Sequence, residues 1–160
     1  MKKVIGVMGA SSATEQDVAM AKELGTAIAK AGWVTLSGGA NEGVMDAVSK
    51  GARSENGLVI GILNSKDKAE ASENLDIAVP TGMGNARNNI NVLSSDVVVA
   101  CGTLSIGTLS EVCLALSAGR PVILLGEETT LKQELQALKP EAVSLVETVE
   151  ETISTIEKLS

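Results

Sequence analysis

Histidine, tyrosine and phenylalanine are absent from this chain, and Trp33 is its single aromatic residue. Without histidine, Ser-His-Asp and Cys-His catalytic arrangements are excluded, as are nearly all common zinc sites. A surface that binds nucleic acid by stacking bases on aromatic rings is excluded as well. Any proton transfer would have to use carboxylates, lysines or water.

Positive charge is also scarce. The chain has 13 Lys and Arg against 20 Asp and Glu, a net charge of −7, and this balance disfavours nucleic-acid binding. The acidic excess is concentrated in residues 121–160, downstream of the glycine-rich segments. An anionic ligand would therefore depend on backbone N–H groups, helix N-termini and the few arginines.

Long apolar runs and paired cysteines are missing too. No run approaches the roughly 18 apolar residues of a membrane helix, and the N-terminus lacks the apolar core of a signal peptide. Cys101 and Cys113 fit neither a CxxC motif nor a disulfide framework. We therefore expect a cytoplasmic protein without membrane contact, disulfide or metal site.

Short apolar segments alternate with longer amphipathic ones along residues 1–160, with no repeat or linker, which predicts a single domain. Because the apolar segments are too hydrophobic for a half-exposed sheet, the pattern predicts an α/β fold, doubly wound, with a mostly parallel sheet of about six to seven strands and helices on both faces. Strands are predicted at 2–9, 33–39, 58–63, 75–80, 96–102, 121–126 and 142–147, and helices at 15–32, 41–57, 85–95, 107–119, 131–138 and 149–159.

Four loops rich in small residues follow predicted strands: "GASSATE", "SGGANEG", "PTGMGNARNN" and "CGTLSIGTLSE". In a sheet of this kind, such loops meet at the carboxyl edge, where ligands bind. Their backbone N–H groups and the helix starts that they lead into favour a phosphorylated ligand.

Three segments, "SGGANEGVM", "TGMGNARNNINVLSSDVVVACG" and "GTLSEVCLALSAGRPVILLG", resemble a Rossmann-like family often labelled "possible lysine decarboxylase". That family includes the Lonely Guy phosphoribohydrolases and the molybdenum cofactor carrier proteins. With the opening "IGVMG" and the short length, the chain is most similar to the carriers. The resemblance implies a homo-oligomer, a dimer of dimers, that binds, stores and carries the phosphorylated pterin of the molybdenum cofactor as its cargo. Molybdenum cofactor enzymes or their assembly proteins are further candidate partners.

The loops and the resemblance together give the candidate ligand-binding residues. The resemblance places the phosphate turn at Gly38, Gly39 and Gly43, the family arginine at Arg87, and the hydrolase signature at Gly107, Thr108 and Glu111. The full set is Gly9, Ser11, Ser12, Gly38, Gly39, Ala40, Asn41, Gly43, Met45, Asn85, Arg87, Gly107, Thr108 and Glu111.

Two departures separate this chain from the hydrolases that it resembles. They have Pro-Gly-Gly before the signature, where this chain has Cys101 and Gly102 followed by "TLSI", and a lysine after the arginine, where this chain has Asn88. We expect a carrier with no catalytic residue. The alternatives are a nucleoside 5′-monophosphate phosphoribohydrolase that uses Arg87 and Glu111, and a non-catalytic nucleotide-binding protein.

Glu111 and Arg87 each allow a structural interpretation. Thr108-Leu109-Ser110-Glu111 fits a capping box with Thr108 as N-cap, and Ser11 and Ser12 fit the cap of the first helix. Arg87 is predicted in the first turn of its helix, where a cation opposes the helix dipole. An anionic partner, either a ligand phosphate or Glu111, would compensate for that position.

Overall fold

A single seven-stranded parallel sheet forms the centre of the computed structural model, which describes residues 1–159. The strands are β1 (Val4–Met8), β2 (Val34–Ser37), β3 (Val59–Leu63), β4 (Ile77–Pro80), β5 (Val97–Cys101), β6 (Val122–Leu125) and β7 (Val143–Val146). Their order across the sheet is β4-β3-β2-β1-β5-β6-β7. The α/β fold, the parallel sheet and the strand number predicted from the sequence are confirmed.

Helices cover both faces of this sheet. They are α1 (Glu15–Lys30), α2 (Gly43–Ser54), α3 (Arg87–Leu93), preceded by a 3₁₀ turn (Gly84–Ala86), α4 (Ile106–Ser117), α5 (Thr130–Leu138) and α6 (Val149–Lys158). Among residues 1–159, every helix is too short or too polar to cross a membrane.

The central strand β5 shows how the sequence produces two cores. All five of its residues are buried. Alternate side chains point to opposite faces of the sheet, and helices cover both faces. Val97, Val99 and Cys101 join the core beneath α1, α2 and α6, whereas Val98 and Ala100 join the core beneath α3, α4 and α5. Each buried Val contributes roughly 1.5–3 kcal/mol, so an unbroken apolar strand is stabilised on both sides.

The strand order reverses between β1 and β5. After β1 the chain adds β2, β3 and β4 on one side, and then crosses to β5 and continues through β6 and β7 on the other. In open parallel sheets this reversal opens a crevice beyond the carboxyl ends of the strands, where ligands bind. The fold therefore provides a crevice near the ends of β1 and β5, which is a candidate position for a ligand.

Two helix starts differ from the prediction. The side chain of Thr14, not of Ser11 or Ser12, caps α1 by accepting a hydrogen bond from Asp17 N at 3.1 Å. The Oγ of Ser105 caps α4 by accepting from Thr108 N at 3.2 Å. The capping box at Thr108 and Glu111 is therefore wrong, because Ser105 begins the helix before Thr108 and leaves Glu111 in its second turn.

Candidate ligand-binding site

A cavity of about 240 Å³ opens at the carboxyl edge of the sheet. Residues directly after β1, β2 and β3, namely Gly9, Gly38 and Asn64, form part of its wall. The starts of α2, α3 and α4 and the segment before β4 also contribute to it. Ten of the fourteen candidate residues line it: Gly9, Ser11, Gly38, Ala40, Met45, Asn85, Arg87, Gly107, Thr108 and Glu111. The structure thus brings together residues from all four small-residue loops.

Four candidates, Ser12, Gly39, Asn41 and Gly43, do not line the cavity. Gly39 and Gly43 both have positive φ, and a Cβ on Gly43 would collide with the carbonyl oxygens of Ala10 and Ser11. Gly43 is therefore needed for the close approach of α2 to the loop after β1. These two glycines shape the cavity without facing it.

Five residues that line the cavity were missed as candidates: Glu42, Asn64, Glu70, Asn88 and Ser105. Asn64 directly follows β3, so its position after a strand was a usable signal. Glu70 lies in the weakly patterned segment before β4, which is tied to the glycine loop by Asn41 N donating to Glu70 O at 2.9 Å and Ser72 N donating to Gly39 O at 2.8 Å. No local sequence pattern predicts that long-range pairing.

Arg87 is the first residue of α3 and lies half-buried at the cavity. Its Nη1 donates to the carbonyl oxygens of Gly38, at 3.0 Å, and Ile62, and its Nε donates to Asn88 Oδ1 at 3.3 Å. Within residues 1–159, Nη2 has no hydrogen-bond partner. The guanidinium is therefore held by backbone carbonyls with one nitrogen free to donate to a ligand.

Asn88 occupies the position of the hydrolase lysine and is buried. It accepts from Arg87 Nε, and its Nδ2 donates to Ser110 Oγ at 3.0 Å. The amide thus joins the start of α3 to α4, a role that needs both a donor and an acceptor. A lysine ammonium, which only donates, could not replace it.

Glu111 is 7% exposed and points inward from α4. Its Oε1 accepts from Asn91 Nδ2 at 3.0 Å. Burial raises the pKa of the Glu111 carboxyl, while the Asn91 hydrogen bond and the charge of Arg87 act in the opposite direction. Arg87 and Glu111 are not within 4 Å of each other, since the ion pairs among residues 1–159 are Lys30–Glu55 and Arg53–Asp76. Glu111 is therefore not the direct partner of Arg87.

The N-termini of α2 and α4 also meet this cavity. α2 begins after Glu42 without a side-chain cap, and α4 presents Gly107 in its first turn. The first N–H groups of a helix have no intrahelical partner, and at α4 the cap Ser105 bonds only that of Thr108. The other N–H groups remain available, and the helix dipole favours an anion there. Together with the free nitrogen of Arg87, these groups can bind a phosphate.

Three carboxylates, Glu42, Glu70 and Glu111, line the same cavity as Arg87. Among residues 1–159 they do not form a cluster that could hold a metal ion. Carboxylates accept hydrogen bonds and repel anions. The cavity therefore suits a ligand that has an anionic end and also N–H or O–H donors.

The strand order and the crevice at its reversal define a Rossmann-like α/β ligand-binding protein. The chain belongs to the SLOG cluster4 family, whose model matches residues 2–153. It is 43% identical over 121 residues to an uncharacterized protein of Archaeoglobus fulgidus, covering 76% of this chain and 78% of that protein.

The solved structures that match nearly the whole chain include those of two molybdenum cofactor proteins. The molybdenum cofactor binding protein of Rippkaea orientalis is 49% identical with a TM-score of 0.96, covering 99% of this chain and 98% of that one. The molybdenum cofactor carrier protein of Chlamydomonas reinhardtii is 41% identical with a TM-score of 0.92, at the same coverage. The resemblance to the carrier branch is thus confirmed.

Proposed function

We propose that this protein binds, stores and carries the molybdenum cofactor in the cytoplasm, as a single ligand-binding domain. The observation that carries the proposal is the match over 99% of the chain, at 49% identity, to a protein described as a molybdenum cofactor binding protein. The carrier protein of Chlamydomonas reinhardtii supports the same function.

We place the phosphorylated end of the cargo at the cavity beside Arg87. Nη2 of Arg87 and the first turns of α2 and α4, at Met45 and Gly107, supply hydrogen-bond donors for its phosphate oxygens. Glu42, Glu70 and Glu111 are acceptors for N–H or O–H groups of the cargo near its phosphorylated end. This combination explains why acidic residues share a cavity with an anion-binding arginine.

The direct test is retention of the cargo. Purified protein is mixed with molybdenum cofactor under anaerobic conditions, desalted, and assayed for molybdenum and pterin per chain, before and after exposure to air. A carrier retains both in equal amounts and slows oxidation of the pterin relative to free cofactor. Loss of all molybdenum on desalting would overturn the proposal.

A phosphoribohydrolase is the alternative that one observation favours: Arg87 and Glu111 line the same cavity. The wild-type protein and Glu111→Gln are therefore both assayed for release of ribose 5-phosphate from purine nucleoside monophosphates. The substitution retains the acceptor for Asn91 and removes the ionisable group. A hydrolase would be slowed by roughly 10²-fold or more, whereas a carrier gives background release with both proteins.

We also propose that the chain self-associates, as a dimer of dimers, through the outer surfaces of α3 and α4. Leu93 at the end of α3 is 52% exposed and Ile106 at the start of α4 is 85% exposed, and exposed large apolar side chains on two neighbouring helices favour an interface there. Analytical ultracentrifugation tests this: Leu93→Glu should lower the molar mass observed, and a wild-type protein that remains a monomer at micromolar concentration contradicts it.

A further inference from the structure

A second cavity, of about 350 Å³, opens at the carboxyl ends of β5 and β6, between α1 and α5. Its volume lies in the usual range for small-molecule sites, about 300–1,000 Å³. The loop after β5 separates it from the first cavity: Gly102, Thr103 and Leu104 face the second, whereas Ser105 and Gly107 face the first. The two cavities share no lining residue.

Asp17 and Lys132 occupy equivalent positions at the starts of the two helices. Each is the third residue of its helix, and its backbone N–H is bonded to a threonine cap, Thr14 for Asp17 at 3.1 Å and Thr129 for Lys132 at 3.4 Å. A carboxylate is favoured at a helix N-terminus, but an ammonium is not. The position of Lys132 therefore needs a compensating interaction.

Both charged side chains are buried, Asp17 at 7% and Lys132 at 2% exposed, and neither belongs to an ion pair within residues 1–159. Asp17 Oδ2 accepts from Thr103 N at 3.2 Å, and Lys132 Nζ donates to Leu125 O at 3.1 Å. In that same part of the chain, Asp17 Oδ1 has no partner and the ammonium has no second acceptor. Two buried ions are thus left with unused hydrogen-bonding capacity.

The electrostatic setting agrees with this geometry. Burial lowers the pKa of Lys132, and the nearby groups Cys101, Asp17 and Glu127 act in the opposite direction. Buried ions that are incompletely paired carry a desolvation cost. A ligand that donates to the Asp17 carboxylate and accepts from the Lys132 ammonium would offset part of that cost.

The walls restrict the shape of such a ligand. Met20, Leu104 and Leu131 supply apolar surface, which suits the faces of a flat ring, while Asp17 and Glu127 disfavour a bare phosphate. A ring edge with two adjacent N–H donors beside a carbonyl matches Asp17 and Lys132 together. This is the 2-amino-4-oxopyrimidine edge, found in pterins and in guanine.

We infer that the second cavity, through Asp17 and Lys132, binds the 2-amino-4-oxopyrimidine edge of a pterin or guanine ring. The choice of pterin over guanine rests on the proposed function, because the cargo proposed there contains a pterin. The edge itself is inferred from the cavity alone.

The test uses phosphate-free probes and calorimetry or pterin fluorescence. Wild-type protein should bind pterin at least about tenfold more tightly than lumazine, which has an oxo group in place of the 2-amino group, given the strength of hydrogen bonds to charged groups. Asp17→Asn retains an acceptor for Thr103 N and should remove this preference. Lys132→Met should weaken pterin binding, whereas the exposed controls Glu15→Gln and Lys22→Met should not.

Equal affinity for pterin and lumazine in the wild-type protein overturns the inference without requiring any variant to fold, as does binding of neither.

Guanosine as a third probe distinguishes the source of the edge: tighter pterin binding supports a pterin, and equal or tighter guanosine binding supports a guanine nucleoside. If Arg87→Ala abolishes retention of molybdenum cofactor while pterin and lumazine bind equally, the proposed function stands and this inference fails. If pterin binding depends on Asp17 but molybdenum cofactor is never retained, this inference stands and the proposed function fails.

Discussion

The pattern Thr-x-x-Glu occurs at Thr108–Glu111 and again at Thr148–Glu151, and the two copies adopt different structures. At the start of α6, Thr148 and Glu151 form a full capping box. At α4, Ser105 takes the capping position, and Glu111 lies in the second turn, buried beside the first cavity. The same four-residue pattern thus caps a helix at the surface in one place and supplies a buried acid to the wall of the first cavity in the other.

Two features separate the copies: Ser105, three residues before Thr108, takes the capping position at α4, and the acid of that copy is buried. Glu151 is exposed and accepts from the backbone N–H groups of Glu147 and Thr148, at 2.9 and 3.1 Å. Glu111 accepts from an asparagine side chain instead. A capping pattern therefore indicates a cap only when no earlier Ser or Thr can start the helix.

The largest expected effect is a loss of ligand binding. It should follow a substitution at the first cavity, beside Thr108–Glu111, and not one elsewhere on the surface. Arg87→Ala should weaken binding of molybdenum cofactor by about 1.5–3 kcal/mol, because it removes hydrogen bonds from a charged group. Arg53→Ala, which removes an exposed arginine paired with Asp76 at 2.7 Å, is the matched control. Titration with cofactor measures both.

Arg87→Ala should also destabilise the ligand-free protein, since the carbonyl oxygens of Gly38 and Ile62 lose their donor. Thermal melting separates this effect from binding. A large loss of apo stability with unchanged ligand affinity would show that Arg87 is structural only.

The second expected effect is on stability, and it tests the two residues that cap α6 and α4. Thr148→Ala and Ser105→Ala should each lower the free energy of unfolding by about 0.5–2 kcal/mol, because each removes a side chain that accepts from a backbone N–H. Denaturant unfolding measures the change. A Ser105→Ala protein as stable as wild type would contradict the assignment of Ser105 as the cap of α4.

The smallest expected effect is on the pH dependence of stability, which should have opposite signs for Glu151 and Glu111. The pKa of Glu151 is lowered by its backbone hydrogen bonds, so its contribution to stability is present above the unfolded value, about 4.3, and is lost as pH falls through the folded pKa. The pKa of Glu111 is raised by burial. Its contribution is therefore present below the unfolded value and is lost as pH rises through the folded pKa.

Unfolding free energies of wild type, Glu151→Gln and Glu111→Gln between pH 3 and 7 test these signs. Relative to wild type, Glu151→Gln should lose its disadvantage on acidification, and Glu111→Gln should gain stability as pH rises. The same pH trend in both variants would contradict the contrast between the two glutamates.

The sequence predicted the strands and the helices because most of the apolar segments are buried on both faces of a parallel sheet, the exposed edge strand β4 being an exception. It also placed ten of the residues that line the first cavity, since loops after parallel strands meet at one edge. It failed at Glu70, whose place depends on hydrogen bonds to the loop at Gly39 and Asn41. It also failed for Asp17 and Lys132. Asp17 fits an ordinary first turn of a helix, Lys132 opposes the helix dipole without a pattern that indicates its partner, and only the folded chain brings the two to one cavity.

The central claim, that the chain carries the molybdenum cofactor, is tested most directly by mass spectrometry of the small molecule that the purified protein releases on denaturation. We predict a phosphorylated pterin, accompanied by molybdenum measured in the same sample, in an amount approaching one per chain. Release of a nucleoside monophosphate without molybdenum or pterin would contradict it.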